Sequence, residues 1–199
     1  MTAQLQSRGK IVVALGANSP GPWGTPRQTI TQALGKIADA GIDVVSVSPL
    51  YVTAAVGSAR QQPYLNAVAL LATSLPPAAL LRALKQIERG AGRRAGRPWG
   101  PRTLDIDIID YAGLVRHWRR GGARFAKAGP RPLVLPHPLA HTRPFVLKPL
   151  LDIAPDWRHP ALRRSGADLW RQASRGRQGR VLERLERPPC LPAGRELPK

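Results

Sequence analysis

Lys10-Ile-Val-Val-Ala-Leu15 is a short β-branched apolar run closed by Gly16, the pattern of a buried first strand. Gly16-Ala-Asn18-Ser-Pro-Gly-Pro supplies turn residues. Thr25-Pro26-Arg27-Gln28 then has the form of a helix start, with Thr as N-cap, Pro at the first helical position and Gln closing a capping box. Ile30, Leu34 and Ile37 follow at spacings of four and three, giving that helix one apolar face, and Gly41 ends it. Ile42 to Tyr51 alternates in part and predicts a strand, as does Tyr64 to Ala72, with the long loop Thr53 to Pro63 between them. Pro76 to Arg89 predicts a helix with Leu80, Leu84 and Ile87 on one side. A second long loop, Gly90 to Pro101, leads to a strand over Thr103 to Tyr111. The order strand, helix, strand, strand, helix, strand predicts an α+β fold with a ferredoxin-like βαββαβ core and an antiparallel sheet. Two loops of that length in one small domain point to a ligand site beneath them.

Further along, Val115 to Gly129 is basic and glycine-containing, which predicts an exposed loop, and Pro132 to Pro136 predicts another short strand. Thr142-Arg143-Pro144 opens a helix carrying Phe145, Leu147 and Leu150. After Arg158 the chain is arginine-rich, with one helix near Ala167 to Ala173 and weak order expected beyond about 175. The expected division is one domain over residues 1–165 and a basic, partly disordered extension over 166–199. No apolar run reaches the roughly 20 residues of a membrane helix. Ile11 to Ala17 is too short for a signal peptide, and Cys190, the only cysteine, excludes an intramolecular disulfide. The cytoplasm is the expected compartment.

Charge changes the picture. The 31 Lys and Arg against 12 Asp and Glu give a formal +19, which favours anionic ligands, either nucleic acid or small phosphates. Only six of the 31 are lysines, so an arginine bias of the coding sequence would produce much of the same excess. Residues 82–131 carry 13 basic and 4 acidic side chains, and residues 158–199 carry 11 and 4. The first cluster surrounds the most informative segment of the chain.

That segment is Leu104-Asp105-Ile106-Asp107-Ile108-Ile109. Alternation along a strand turns Leu104, Ile106 and Ile108 to the core and leaves Asp105 and Asp107 together on the opposite face, with Cα atoms about 7 Å apart. Two carboxylates so placed repel unless something positive lies between them. A hard divalent cation such as Mg²⁺, its shell completed by phosphate oxygens, meets that need. An ordinary amphipathic strand with a wet acidic face would show the same alternation. Arg93, Arg94, Arg97 and Arg102 lie within a dozen residues, and arginine forks bind phosphate oxygens. The alternative is that these arginines pair with Asp105 and Asp107 as a structural network. His137 and Arg143 follow downstream. Thr53, Tyr64, Asn66 and Phe145 offer two rings and polar groups suited to a flat heteroaromatic ligand, although Tyr64 and Phe145 could equally be core. Neither a Walker A loop nor a protein-kinase glycine loop is present, and no RNP1-type aromatic sequence supports an RNA-recognition module.

Taken together these residues resemble the 6-hydroxymethyl-7,8-dihydropterin pyrophosphokinase family. The matching motifs are Ala14-Leu-Gly16-Ala-Asn18, Tyr64-Leu-Asn66-Ala, Ile87-Glu88 with Gly92-Arg93, Trp99-Gly-Pro-Arg102-Thr-Leu-Asp105-Ile-Asp107-Ile, Leu135-Pro-His137-Pro with Arg143 and Phe145, and Leu150-Leu-Asp-Ile-Ala-Pro155. They span about residues 10–157. The resemblance implies transfer of an intact diphosphate from ATP to a pterin hydroxymethyl group in folate biosynthesis, with release of AMP. It implies two Mg²⁺ ions on Asp105 and Asp107, and phosphate-gripping loop arginines at Arg93 and Arg102. It places Trp99 at the closing of the site, and Glu88, Ile108, His137 and Arg143 at nucleotide-contacting positions. Tyr64 and Phe145 correspond to the rings that stack on the pterin, and Thr53, Val56 and Asn66 to the groups that bond its edge. ATP and the dihydropterin are then the expected partners of a monomer, with neither membrane nor nucleic acid. The alternative is a ferredoxin-like RNA-binding protein using its basic loop and tail. Ala54-Ala55 stands where the family usually has prolines, Arg116 to Lys127 looks like an insertion, and residues after about 165 extend past the family domain.

Overall fold

A computed structural model describes residues 10–56, 61–93, 102–119, 132–176, 179–185 and 189. The chain order is β1 (Ile11–Ala17), α1 (Pro26–Asp39), β2 (Asp43–Val47), β3 (Leu50–Thr53), β4 (Tyr64–Ala72), α2 (Pro77–Gly90), β5 (Asp105–Tyr111), α3 (Pro144–Ile153), α4 (Gly166–Ala173) and β6 (Val181–Leu185). The α1 start forms as its residues dictate. Thr25 Oγ1 accepts from the Gln28 N–H, and the Gln28 side chain accepts in return from Thr25 N at 2.8 Å. Ile30, Leu34 and Ile37 are fully buried against the sheet.

The six strands form one sheet in the order β5-β1-β4-β3-β6, with β2 also on β4, and every named pairing is antiparallel. The single strand expected over Ile42 to Tyr51 is broken at Ser48-Pro49. β2 pairs with the second half of β4 and β3 with its first residues, so the two pieces share one edge. Proline has no N–H to offer a ladder. Instead Ser48 carries the junction: its N–H donates to Val68 O and its Oγ accepts from Val68 N.

Each face of the sheet has its own core. Val13, Leu15, Ala69 and Ile106 pack under α1 and α2, while Val12, Val68 and Leu70 pack under Val146 and Leu150 of α3. The register between β1 and β5 shifts at Val12/Val13, where Ile109 is the extra residue. By ordinary alternation Ile108 joins the first core and its neighbour Ile109 the second.

The face of α2 read from the sequence packs as expected: Leu80 and Leu84 are fully buried and Ile87 is partly covered against the same core, with Glu88 also buried. Two sequence expectations are corrected. Pro132 to Pro136 is not a strand: Leu135 makes only isolated bridges to Arg116 and His117. The stretch beyond 175, where weak order was expected, contains β6, which pairs with all four residues of β3 and skips Leu182 at a register shift. Most of the basic stretch 116–129 lies outside the described residues, and among the described residues no helix is long and apolar enough to cross a membrane.

Behind α3 the chain closes on a cluster of rings. His159 is fully buried, with its ring 5.3 Å from Trp118, 5.7 Å from His141 and 5.8 Å from Trp157, all edge-on. Its Nδ1 accepts from Leu162 N at 3.1 Å, so the neutral ring carries its proton on Nε2. Burial, assisted by the neighbouring His141, lowers its pKa to about 4. The unfolded chain therefore binds a proton here between pH 6.5 and 4 that the folded chain refuses, and stability falls as pH drops through that window. Lowering the pH from 7 to 5 should cost the native chain about 2 kcal/mol from this group alone. In His159→Asn, which retains an acceptor near Nδ1, urea titrations at the two pH values should differ by correspondingly less.

Candidate active site

A trough of small residues on the central strand locates the cavity. On the α3 side of β1 the side chains toward its C-terminal end are Ala14 and Gly16. Gly16 pairs with Asn66 of β4 on one side and Asp105 of β5 on the other, and Ala14 pairs with Val68 and Asp107. A Cβ at Gly16 would lie 2.8 Å from Asn66 Oδ1, so no larger residue fits without moving that amide. Into the space above come Tyr64 and Asn66 from β4, Asp105 and Asp107 from β5, Lys85 from α2, and Arg143 and Phe145 from the start of α3. The cavity they enclose measures about 460 Å³.

Asn18 fixes the entrance. Its Oδ1 accepts from Arg102 N at 2.8 Å, its own N–H donates to Arg102 O at 3.0 Å, and its Nδ2 donates to Gln62 O. One buried amide thus ties the approach to β5 to the loop leading into β4.

The two β5 carboxylates share one face and are both met by cations. Asp105 accepts from Arg93 on one oxygen and from Arg102 on the other, with Lys85 Nζ 4.0 Å away. Asp107 Oδ2 lies 3.2 Å from Arg143 Nη1 and 3.7 Å from His137 Nε2. Burial alone would raise the Asp105 carboxyl, but Arg93, Arg102 and Lys85 together outweigh it and hold the group below its ordinary value. His137 is pushed down to about 4, chiefly by burial, and its Nδ1 accepts from Leu139 N. It is therefore neutral at pH 7 with Nε2–H as a donor. Four cations, Lys85, Arg93, Arg102 and Arg143, line the cavity against two carboxylates, so it attracts a polyanion.

Beneath this layer lies Glu88, only 2 % exposed. It accepts from the backbone N–H of Ile106 at 2.6 Å and pairs with Lys85 at 2.6 Å and Arg93 at 2.7 Å. Lys85 in turn donates to Ile106 O. These α2 side chains satisfy both backbone groups of Ile106 on the edge strand, which holds β5 and its carboxylates in place. Burial raises the Glu88 carboxyl, and Lys85 opposes that shift.

At the other end, Asn66 Nδ2 donates to Thr53 Oγ1 at 2.7 Å, and both residues are buried. Thr53, Val56, Tyr64, Asn66, Arg93, Arg102, Asp105, Asp107, His137, Arg143 and Phe145 all line the one cavity. Glu88 and Ile108 do not: the first is buried beneath the arginines and the second belongs to the core under the helices. Arg94, Arg97 and Trp99 lie outside the described residues. Sequence reasoning passed over Lys85, although its place three residues before Glu88 on a helix puts the pair on one side. It placed Asn18 in a turn and in the first matching motif and gave it no role in the site.

The family described as 7,8-dihydro-6-hydroxymethylpterin-pyrophosphokinase matches this chain over residues 12–155. A relative from Pseudomonas aeruginosa, named 2-amino-4-hydroxy-6-hydroxymethyldihydropteridine pyrophosphokinase, is 39% identical over 152 residues, covering 76% of this chain and 84% of the relative. A protein of the same name from Synechocystis sp. is 40% identical over 159 residues, covering 79% and 71%. Among solved structures, that of Plasmodium falciparum HPPK-DHPS wild type with STZ-DHP superposes with a TM-score of 0.60 at 14% identity, over 85% of this chain. This chain spans 42% of that one, and the likeness supports the α+β, ferredoxin-like fold.

Removing Glu88 exposes the dependence of the site on its buried layer. Glu88→Ala removes the buried carboxylate shared by Lys85 and Arg93 and leaves the Ile106 N–H unmet, and should destabilise the fold by about 3 kcal/mol. Urea denaturation at pH 7 measures this.

Proposed function

Because the chain belongs to the 7,8-dihydro-6-hydroxymethylpterin-pyrophosphokinase family, we propose that the cavity beside β5 is where its reaction takes place. The enzyme transfers a diphosphate from ATP to the hydroxymethyl group of 6-hydroxymethyl-7,8-dihydropterin in folate biosynthesis, giving AMP and the pterin diphosphate. An RNA-binding role for the basic loop and tail has no support in these comparisons. The observation that carries the assignment of the site is the Asp105–Asp107 pair on one strand face, opening on a cavity lined by four cations.

The donor set fits Mg²⁺. Two oxygen-donor carboxylates facing one cavity are too few for an all-protein cage and leave coordination positions for phosphate oxygens and water. Asp105 and Asp107 would hold two ions, the number the family resemblance implies, and such ions supply charge neutralisation at the attacking and leaving oxygens of the phosphoryl group.

The chain's own residues have separable tasks. Arg93 and Arg102 lie on Asp105 and Arg143 on Asp107, so each can pass from a carboxylate to a phosphate oxygen by a short side-chain motion. That exchange keeps the triphosphate and the carboxylates neutralised together. His137, neutral and with Nε2–H turned toward Asp107, adds an uncharged donor for a phosphate oxygen. At the far end Tyr64 and Phe145 provide the two aromatic faces for the pterin. Thr53 keeps a hydroxyl donor and Asn66 a carbonyl acceptor for its edge, and Val56 contributes backbone groups. Held between them, the substrate hydroxyl oxygen bonds to the β-phosphorus, the bond to the oxygen bridging the α-phosphorus breaks, and AMP departs with that oxygen while the hydroxyl proton passes to water. Positioning and electrostatics carry such a step, with no covalent role for the protein. A monomer in the cytoplasm belongs to the same proposal.

Asp107→Asn keeps the size of the side chain and removes its charge. It should lower kcat for AMP formation at least about a hundredfold, with a thermal midpoint close to that of the parent. Arg102→Ala should raise the KM for ATP more than that for the pterin. AMP release followed by chromatography tests both, and unchanged turnover in Asp107→Asn would remove the assignment.

A further inference from the structure

The chain beyond residue 155, past the family match, returns to pack behind residues that line the cavity. β6 adds itself to the free edge of β3, aligning Val181 with Thr53 and Arg184 with Tyr51. One step earlier, Arg180 O accepts from Ala54 N at 2.9 Å, so the tail bonds directly to the backbone of the loop that carries Thr53 and Val56. Gly179 is buried and adopts a φ of +64°. A Cβ there would lie 2.4 Å and 2.7 Å from two ring carbons of Phe145 and 3.4 Å from Val56 Cγ2. Only glycine suits both the backbone conformation and the space.

Farther along the strand, Arg184 Nε lies 3.6 Å from Asp152 of α3, the same carboxylate that accepts from Tyr51 Oη at 2.5 Å and pairs with Lys148 at 2.8 Å. The tail is therefore fastened to the helix that presents Phe145 and to the strand that ends in Thr53.

We infer that residues 179–185 back the pterin end of the site from behind its lining, with Gly179 as the positioning residue that sets the Phe145 ring against the 53–56 loop. The inference rests on the reading of Phe145 and Thr53 as pterin-binding groups. It assigns the tail to pterin affinity and leaves the triphosphate end untouched, because the groups that Gly179 and Arg180 meet are Phe145, Val56 and Ala54, at the pterin end.

Two measurements test it. In the unmodified chain, saturating dihydropterin with a non-hydrolysable ATP analogue should slow amide exchange at residues 179–181 as well as at Tyr64 to Asn66, and the analogue alone should not. Gly179→Ala adds both a clash and backbone strain, whereas Gly179→Asn tolerates the positive φ and isolates the clash. Both variants should raise the KM for the pterin about tenfold and keep the KM for ATP within about twofold. Protection at Tyr64 to Asn66 without any at 179–181 overturns the inference, as does a pterin KM within about twofold of the parent in both variants, or an equal rise in both KM values. Absence of pterin-dependent protection at Tyr64 to Asn66 and at Phe145 alike would instead overturn the assignment of the pterin end itself, and the inference with it.

Discussion

Two carboxylates on alternate residues of one strand set the terms for everything around them. At about 7 Å apart in a half-buried setting their repulsion is about 2 kcal/mol, and desolvation adds to it. The protein offsets this with guanidinium and ammonium groups brought from α2, from the approach to β5 and from the start of α3. The arrangement is stable as a balanced cluster and receptive as a site. A polyphosphate can take over the cations while hard metal ions take over the carboxylates, so the charge of ligand and protein is compensated at both stages. The structural network of arginines and the phosphate site, which look like rival readings of the same residues, are two states of one set of side chains.

Backbone geometry makes that exchange possible. Gly16 and Ala14 keep the middle of the sheet low, so the groups on β4 and β5 project over open space. Beneath them Glu88 is committed to structure: it meets the Ile106 N–H, Lys85 and Arg93 together, and without it that N–H loses its acceptor. The site thus has a fixed anionic foundation and a layer of cations with freedom to turn. Buried pairs of this kind add little net stability and cost a great deal when halved, which makes them effective at fixing geometry.

The opposite end of the cavity is organised by packing. Thr53 and Asn66 bond to each other, Phe145 lies against the backbone at Gly179, and the guanidinium of Arg143 lies 5.6 Å from the centre of the Phe145 ring. Arg143 therefore touches both halves of the site, through Asp107 and through that ring. The strand past the family match covers the β3 edge behind this end by β-augmentation within the chain itself.

Local pattern alone carried much of the fold. The capping box at Thr25, the apolar face of α1, the β1 run and the alternation of β5 depend on neighbours within a turn or a strand, and each formed in place. Alternation also put Asp105 and Asp107 on one face, and motif spacing gathered most of the residues that line the cavity. Long-range geometry decided the remainder. Pro49 broke a strand whose alternation looked continuous, because the cost of its missing N–H appears only once a partner strand is known. Glu88 went to the buried stripe of α2 because Ile106, Lys85 and Arg93 were there to receive it, and no hydropathy pattern encodes that. The arginine-rich tail likewise reads as poorly ordered by composition, yet it found the free edge of β3 and a groove beside Phe145 that admits only a glycine. Sequence by itself determined which residues could do the chemistry and which elements would hold them; which charges meet, and what closes the pocket, depended on surfaces that exist only after the strands have paired.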